Sequence, residues 1–161
     1  MQRRKSRCIF LHQPFTICFF IYVTIFVLRD SSKITIHPGG NIMKKIAIIR
    51  CLDVSMRCVG PACMKAFNTH TVKFERYGNE ELELFASLTC NGCGQTVEND
   101  EGLKKKLDRL AEEPVDVVHF SSCTNKKDKD NPEVKKRCPW VEKMKDYLES
   151  KGVEVVYGTH H

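Results

Sequence analysis

Short apolar runs alternate with longer stretches of helical spacing over residues 43–161. Ile46-Ala47-Ile48-Ile49 is continuous between Lys45 and Arg50, which predicts a strand buried on both faces, as in a parallel sheet. Pro61 suits the first turn of a short helix holding Met64, Ala66 and Phe67. Residues 68–78 have no clear period; Phe74 and Tyr77 are expected to pack on the body. Leu82, Leu84, Phe85, Ala86 and Leu88 predict a second strand, ending at Cys90. Leu103, Leu107, Leu110 and Ala111 form the apolar stripe of a helix expected over Val97 to Glu113, with Asn99 or Asp100 as its cap and Pro114 as its stop. Val115 to Phe120 predicts the third strand, leading through Ser121 and Ser122 to Cys123. Val141, Met144, Tyr147 and Leu148 predict a second amphipathic helix, stopped by Gly152. Val153, Val155 and Val156 predict a fourth strand before Gly158-Thr159-His160-His161.

Strands alternating with helices imply an α/β fold: one layered domain on a parallel sheet, Rossmann- or flavodoxin-like, with right-handed crossovers. Ligands of such sheets gather beyond the carboxyl ends of the strands. The unusual residues fall there. Cys51, Cys90 and Cys123 end the first three strands, and His160 follows the fourth. Cys58, Cys63, Cys93 and Cys138 lie in loops on the same edge, so one shared site is expected.

Charge changes the picture less than its total suggests. The 161 residues carry a net charge of +6. Residues 1–42 hold six Lys/Arg and one acid; the remaining 20 Lys/Arg and 19 Asp/Glu leave residues 43–161 at +1. That balance offers no basic footprint for nucleic acid. The run from Lys126 to Arg137 mixes lysines with acids and reads as a solvated loop.

Residues 1–42 form a segment of different composition. Arg3, Arg4, Lys5 and Arg7 precede an apolar stretch from Phe15 to Leu28 that is short for a membrane span, and no small-x-small cleavage site follows. Met43-Lys44-Lys45 reads as a translation start abutting the first strand, and Gly39-Gly40 can encode a ribosome-binding sequence just upstream. The expectation is a leader from an upstream start, with a signal or anchor sequence as the alternative. Residues 43–161 are the functional domain on either view. A cytoplasmic location follows unless the leader is genuine, and a membrane enters only in that case. Cys8 and Cys18 belong to the leader.

Nine cysteines is an odd count, which fits disulfide pairing poorly. Thiolate and imidazole donors select soft or borderline metals: zinc, iron in a sulfur cluster, or copper(I). Cys90-Asn91-Gly92-Cys93 is the best-spaced pair, although a second C-x-x-C, as in a zinc ribbon, is missing. The expected partner is a metal ion, bound as zinc or as an iron–sulfur cluster. Any single cysteine can instead be a small buried apolar residue. His119, inside the third strand, reads from position as a hydrogen-bonded core histidine. Two enzymatic alternatives stand beside metal binding. Cys93 and Cys90 can act as the attacking and resolving thiols of a redox pair, favoured by the dipole of the helix expected to begin at Val97. Cys51 and Arg57 also have the C-x5-R spacing of phosphatases with a cysteine nucleophile, without that family's glycine and asparagine or a later Asp-Pro acid.

Together these residues resemble the CGGC-domain family, small prokaryotic proteins predicted to bind metal. The resemblance rests on Ile48-Ile49-Arg50-Cys51, Cys58-Val59-Gly60-Pro61-Ala62-Cys63, Cys90-Asn91-Gly92-Cys93, His119-Phe120-Ser121-Ser122-Cys123, Cys138-Pro139 and Gly158-Thr159-His160. It implies a zinc-type site with candidate ligands Cys51, Cys58, Cys63, Cys90, Cys93, Cys123, Cys138, His119 and His160. One position departs from the pattern: Asn91 stands where the family has the first glycine of its tetrad.

Overall fold

In the computed structural model, residues 43–128, 131 and 133–161 are described. The expected leader, residues 1–42, lies outside them. Four strands form one parallel sheet: β1 (Lys44–Arg50), β2 (Leu82–Thr89), β3 (Val117–Phe120) and β6 (Glu154–Tyr157), in the order β2-β1-β3-β6. The helices are α1 (Leu52–Ser55), α2 (Pro61–Asn68), α3 (Glu101–Glu112) and α4 (Pro139–Ser150). The strand order is that of the flavodoxin-like doubly wound sheets over their first four strands. The chain reverses its direction of growth between β1 and β3, so the crevice such folds use opens at the carboxyl ends of those two strands.

The continuous run in β1 is explained by its central place. Ile46, Ala47, Ile48 and Ile49 are fully buried, and alternation divides them between two cores. Ala47 and Ile49 join Val118, Phe120, Leu103, Leu107, Leu110, Val141, Met144 and Leu148, which places α3 and α4 on one face. Ile46 and Ile48 join Ala66, Phe67, Phe74, Tyr77 and Val117, which places α2 and the 3-10 turn Glu75–Tyr77 on the other. The second strand forms where the apolar run placed it. β2 is an edge strand, half-buried along most of its length, and the register steps by one between Ile46 and Ala47, skipping Phe85. Such a bulge bends an edge strand and spoils it as a template for further pairing.

The helix expected from Val97 starts instead at Glu101. Thr96 N–H donates to Asn99 Oδ1 (2.8 Å) and Asn99 Nδ2 to the Gly94 carbonyl (2.9 Å), so Asn99 closes a turn and leaves capping to Asp100. Asp100 Oδ1 accepts from Leu103 N–H (2.9 Å), while Asn91 Nδ2 donates to Oδ2 (2.7 Å). Asp100→Ala removes both bonds and is expected to destabilise the protein by about 1–2 kcal/mol in urea unfolding; Asp100→Asn keeps an acceptor and should lose less. The run after Lys126, read from sequence as a loop, is a two-stranded antiparallel ribbon, β4 (Asn125–Lys127) with β5 (Lys135–Arg137).

A cysteine-lined cleft at the carboxyl edge of the sheet

The crevice beyond β1 and β3 is built on sulfur. Cys51 leaves β1 and flanks the start of α1, and its backbone N–H donates to Cys123 Sγ (3.2 Å), in the 3-10 turn Ser122–Thr124 that follows β3. The next amide, Leu52 N–H, donates to Cys90 Sγ (3.3 Å), just past β2. Two consecutive amides thus tie together the ends of three adjacent strands, with sulfur as the acceptor each time. Lys126 Nζ, on β4, reaches Cys51 Sγ at 3.6 Å. Burial disfavours the Lys126 ammonium, but the Cys51, Cys93 and Cys138 sulfurs outweigh it and hold its pKa above the ordinary lysine value.

Cys51, Cys90, Cys93 and Cys138 line one small cleft together with Asp53, Gly92, Thr124, Lys126, Trp140 and Val141. Its volume of about 20 Å³ has room for roughly one water-sized body. The four thiols come from three segments: the β1 end, the turn after β2, which carries both Cys90 and Cys93, and the residue preceding α4. Cys51 and Cys138 are buried, Cys90 is half-buried and Cys93 is exposed; all seven described cysteines are free thiols. Among the described residues, no three His, Cys, Asp or Glu side chains are gathered closely enough to hold a metal ion as they stand. The donor set still fits a soft metal in kind, because four cysteines line one cleft with Lys126.

Of the other candidates from sequence, Cys123 joins this edge through the bond from the Cys51 amide, and the rest lie outside the cleft lining, so the single shared site becomes several places. Cys63, on α2, contacts Ser121 Oγ (3.2 Å) and His160 Nδ1 (3.5 Å) and accepts from Thr159 Oγ1 (3.3 Å). Cys58 is exposed in the loop before α2, where Gly60 N–H donates to its sulfur (3.4 Å). His119 is fully buried and engaged at both nitrogens. The Gly158 carbonyl accepts from Nδ1 (2.9 Å), so Nε2 accepts from the Tyr77 hydroxyl (2.7 Å). This placement is the core histidine expected from its position, and it leaves no lone pair for an ion.

Burial holds the His119 pKa below its usual value of 6.5. The unfolded chain therefore binds a proton that the folded chain refuses, and stability rises with pH between the two values. The contribution is complete above about pH 6.5 and is lost as the pH falls from there through the folded value. His160, also depressed by burial, acts in the same direction. Urea midpoints should therefore drop between about pH 7.5 and 5.5 in the parent, and less steeply in His119→Gln. Equal slopes would show that His119 is not the group responsible.

Two alternatives from sequence lose their geometry. The residues between Cys51 and Arg57 form α1 instead of a phosphate cradle, and Arg57 is exposed and turned to Asp53 (3.3 Å). The dipole invoked for Cys93 belongs to a helix that begins only at Glu101, beyond the turn at Thr96–Asn99. The thiol that does abut a long helix is Cys138, the residue before α4. In Cys90-Asn91-Gly92-Cys93 the positive-φ step falls on Gly92 (φ 108°), and Asn91 is not among the residues with positive φ. Its side chain accepts from Lys106 Nζ (2.7 Å) and donates to Asp100, fixing the turn to α3.

Lys126 was not singled out from sequence, because a charge run gives no sign of which lysine turns inward. Only the ribbon, which alternates its side chains, sends Lys126 to the thiols.

Similarity to known proteins agrees with this arrangement of motifs. An uncharacterized protein of Methanocaldococcus jannaschii is 32% identical over 125 residues, covering 72% of this chain and 86% of the relative. A second uncharacterized protein of the same organism is 30% identical over 73 residues, covering 45% of this chain and 94% of the relative. No solved structure gives a significant match. The CGGC domain model matches residues 45–160, which takes in the four cleft cysteines and both strands that open the crevice; the chain belongs to the CGGC domain family.

Proposed function

We propose that this protein binds a single zinc ion through Cys51, Cys90, Cys93 and Cys138. The observation that carries the reading is that four free thiols, from three separate segments, line one cleft. Four thiolates around a divalent ion carry two net negative charges, and the Lys126 ammonium offsets part of them. The backbone bond to Cys90 is of the kind that orients and tunes metal-ligating sulfur. The size of the cleft favours one ion over a multi-iron cluster. Bound zinc would supply a cross-link between strand ends or, with one position open, a Lewis acid. The thiols stand apart without it, so the ion would be what gathers them, and binding energy becomes folding energy. His119 falls outside this ligand set, Cys123 borders it through the Cys51 N–H, and Cys58, Cys63 and His160 are not part of the cleft lining.

Chelation tests this directly. Adding a strong zinc chelator to the purified protein should lower its melting temperature, and re-adding zinc should restore it. A melting temperature that ignores both additions would count against a structural ion.

The rival reading, a dithiol–disulfide pair at Cys90 and Cys93, draws support from the exposure of Cys93 beside a half-buried Cys90. It no longer has a helix dipole behind it.

A further inference from the structure

We propose that a groove on the other side of the β4–β5 ribbon binds a phosphate group. The groove measures about 240 Å³ and is bordered by Lys73, Asn125, Arg137, Tyr157, Gly158 and His161. It lies at the carboxyl end of β6, on the sheet edge where α/β folds place their ligands. The ribbon is a shared wall: Asn125 and Arg137 face this groove, while their neighbours Lys126 and Cys138 face the cysteine cleft.

Four features make it a site for an oxyanion. The Arg137 guanidinium lies 3.9 Å over the Tyr157 ring, which itself stacks on Phe120. That stacking holds the planar fork in place, the arrangement suited to bidentate recognition of a phosphate. Its nearest acid, Glu142, is long at 3.8 Å from Nε and also accepts from the Tyr157 hydroxyl at 2.7 Å, so Arg137 is only partly neutralised. Lys73 makes no ion pair among the described residues. Its stem runs against Gly158, where a Cβ would come within 3.0 Å of Lys73 Cγ, and its N–H donates to the Thr159 carbonyl (3.4 Å). Gly158 therefore leaves room for the stem of a cation at the groove's border. Asn125 adds a neutral amide, which can donate to an oxygen. The cross-strand partners Lys127 and Lys135 add like charge directly opposite each other on the same ribbon, a repulsion that a bound anion would relieve.

Inorganic phosphate is the first probe and methyl phosphate the second, each titrated against the full chain at low ionic strength with chloride at matched ionic strength as control. Saturable phosphate binding is expected, weakened about tenfold by Arg137→Gln and by Lys73→Met, and by less in Arg137→Lys, which keeps the charge and loses the fork. Methyl phosphate binding as tightly as phosphate identifies an ester-borne group; weaker binding identifies the free ion, and both sustain the site. The two positions lie on separate segments, so loss of folding in one variant leaves the other to decide. The Cys90→Ser, Cys93→Ser double variant should keep phosphate affinity, which separates this site from the metal reading. A response to phosphate no larger than to chloride, or unchanged binding in Arg137→Gln and Lys73→Met, overturns the proposal.

Discussion

Replacing Cys90 and Cys93 together by serine is expected to reduce zinc affinity by more than about 100-fold, a larger loss than follows from changing groups that only hydrogen-bond to the ligands. Serine keeps the size and a hydroxyl but not the soft, easily ionised sulfur that zinc prefers. The double change removes half of the four cleft thiols and leaves Cys51 and Cys138 in place. Two ligands do not close a tetrahedral site. The fold itself should survive, because Cys90 and Cys93 are not among the fully buried side chains and Gly92 still supplies the turn. The variant should therefore show the melting temperature of chelated parent protein and no further response to chelator. Zinc content equal to the parent would place the site elsewhere and return the pair to the redox reading. The companion Cys63→Ser change, on the other face of the sheet, should leave zinc content unaltered.

Phe74→Ala is expected to be the most destabilising single substitution among those considered, at about 3–5 kcal/mol. Phe74 is fully buried. It stacks on the His119 imidazole at 4.4 Å and meets Phe67 edge-on at 5.4 Å. Truncation opens a cavity between α2 and the sheet and removes the ring that covers the His119–Tyr77 bond. The backbone just before it needs that anchor: His70 and Val72 both have positive φ, a costly conformation for a β-branched residue such as Val72. Domains of this kind are stable by only about 5–15 kcal/mol, so the loss should be plain in a urea titration. Phe74→Leu should lose clearly less. A shift below about 1 kcal/mol for the alanine variant would mean that the segment packs differently from the structure.

These two predictions rest on parts of the molecule that were unequally legible in the sequence. The central strand was plain, because four consecutive apolar residues can be satisfied only where both faces are covered, and Ile46 to Ile49 serve two cores. The α3 stripe of Leu103, Leu107 and Leu110 was equally plain, since its period matches the helix. The start of α3 was not. Thr96, Asn99 and Asp100 are all turn-formers, and only their mutual hydrogen bonds show that Asn99 serves the turn and Asp100 the helix.

The site shows the same limit in another form. Strand ends reveal which edge of a sheet a cysteine occupies, but not the side to which the following loop departs. Cys63 travels with α2 to the face that holds Phe74, whereas Cys138 precedes α4 on the opposite face. Spacing alone cannot make that division, so the expected single cluster separates into the cleft and the Cys63–His160 contact. His119 shows the reverse case: its place within a strand pointed correctly to the core, and the partners that confirm it, Tyr77 and Gly158, are distant in sequence.

The central claim is that the cleft holds a single metal ion on sulfur. Purification without oxygen, followed by elemental analysis and a visible spectrum of the same sample, tests it most directly. The account predicts about one zinc per chain and no visible colour, because zinc is a closed-shell ion without redox chemistry. A brown protein containing iron and sulfide would replace zinc by a cluster, while a metal-free protein that cycles between dithiol and disulfide would contradict the account.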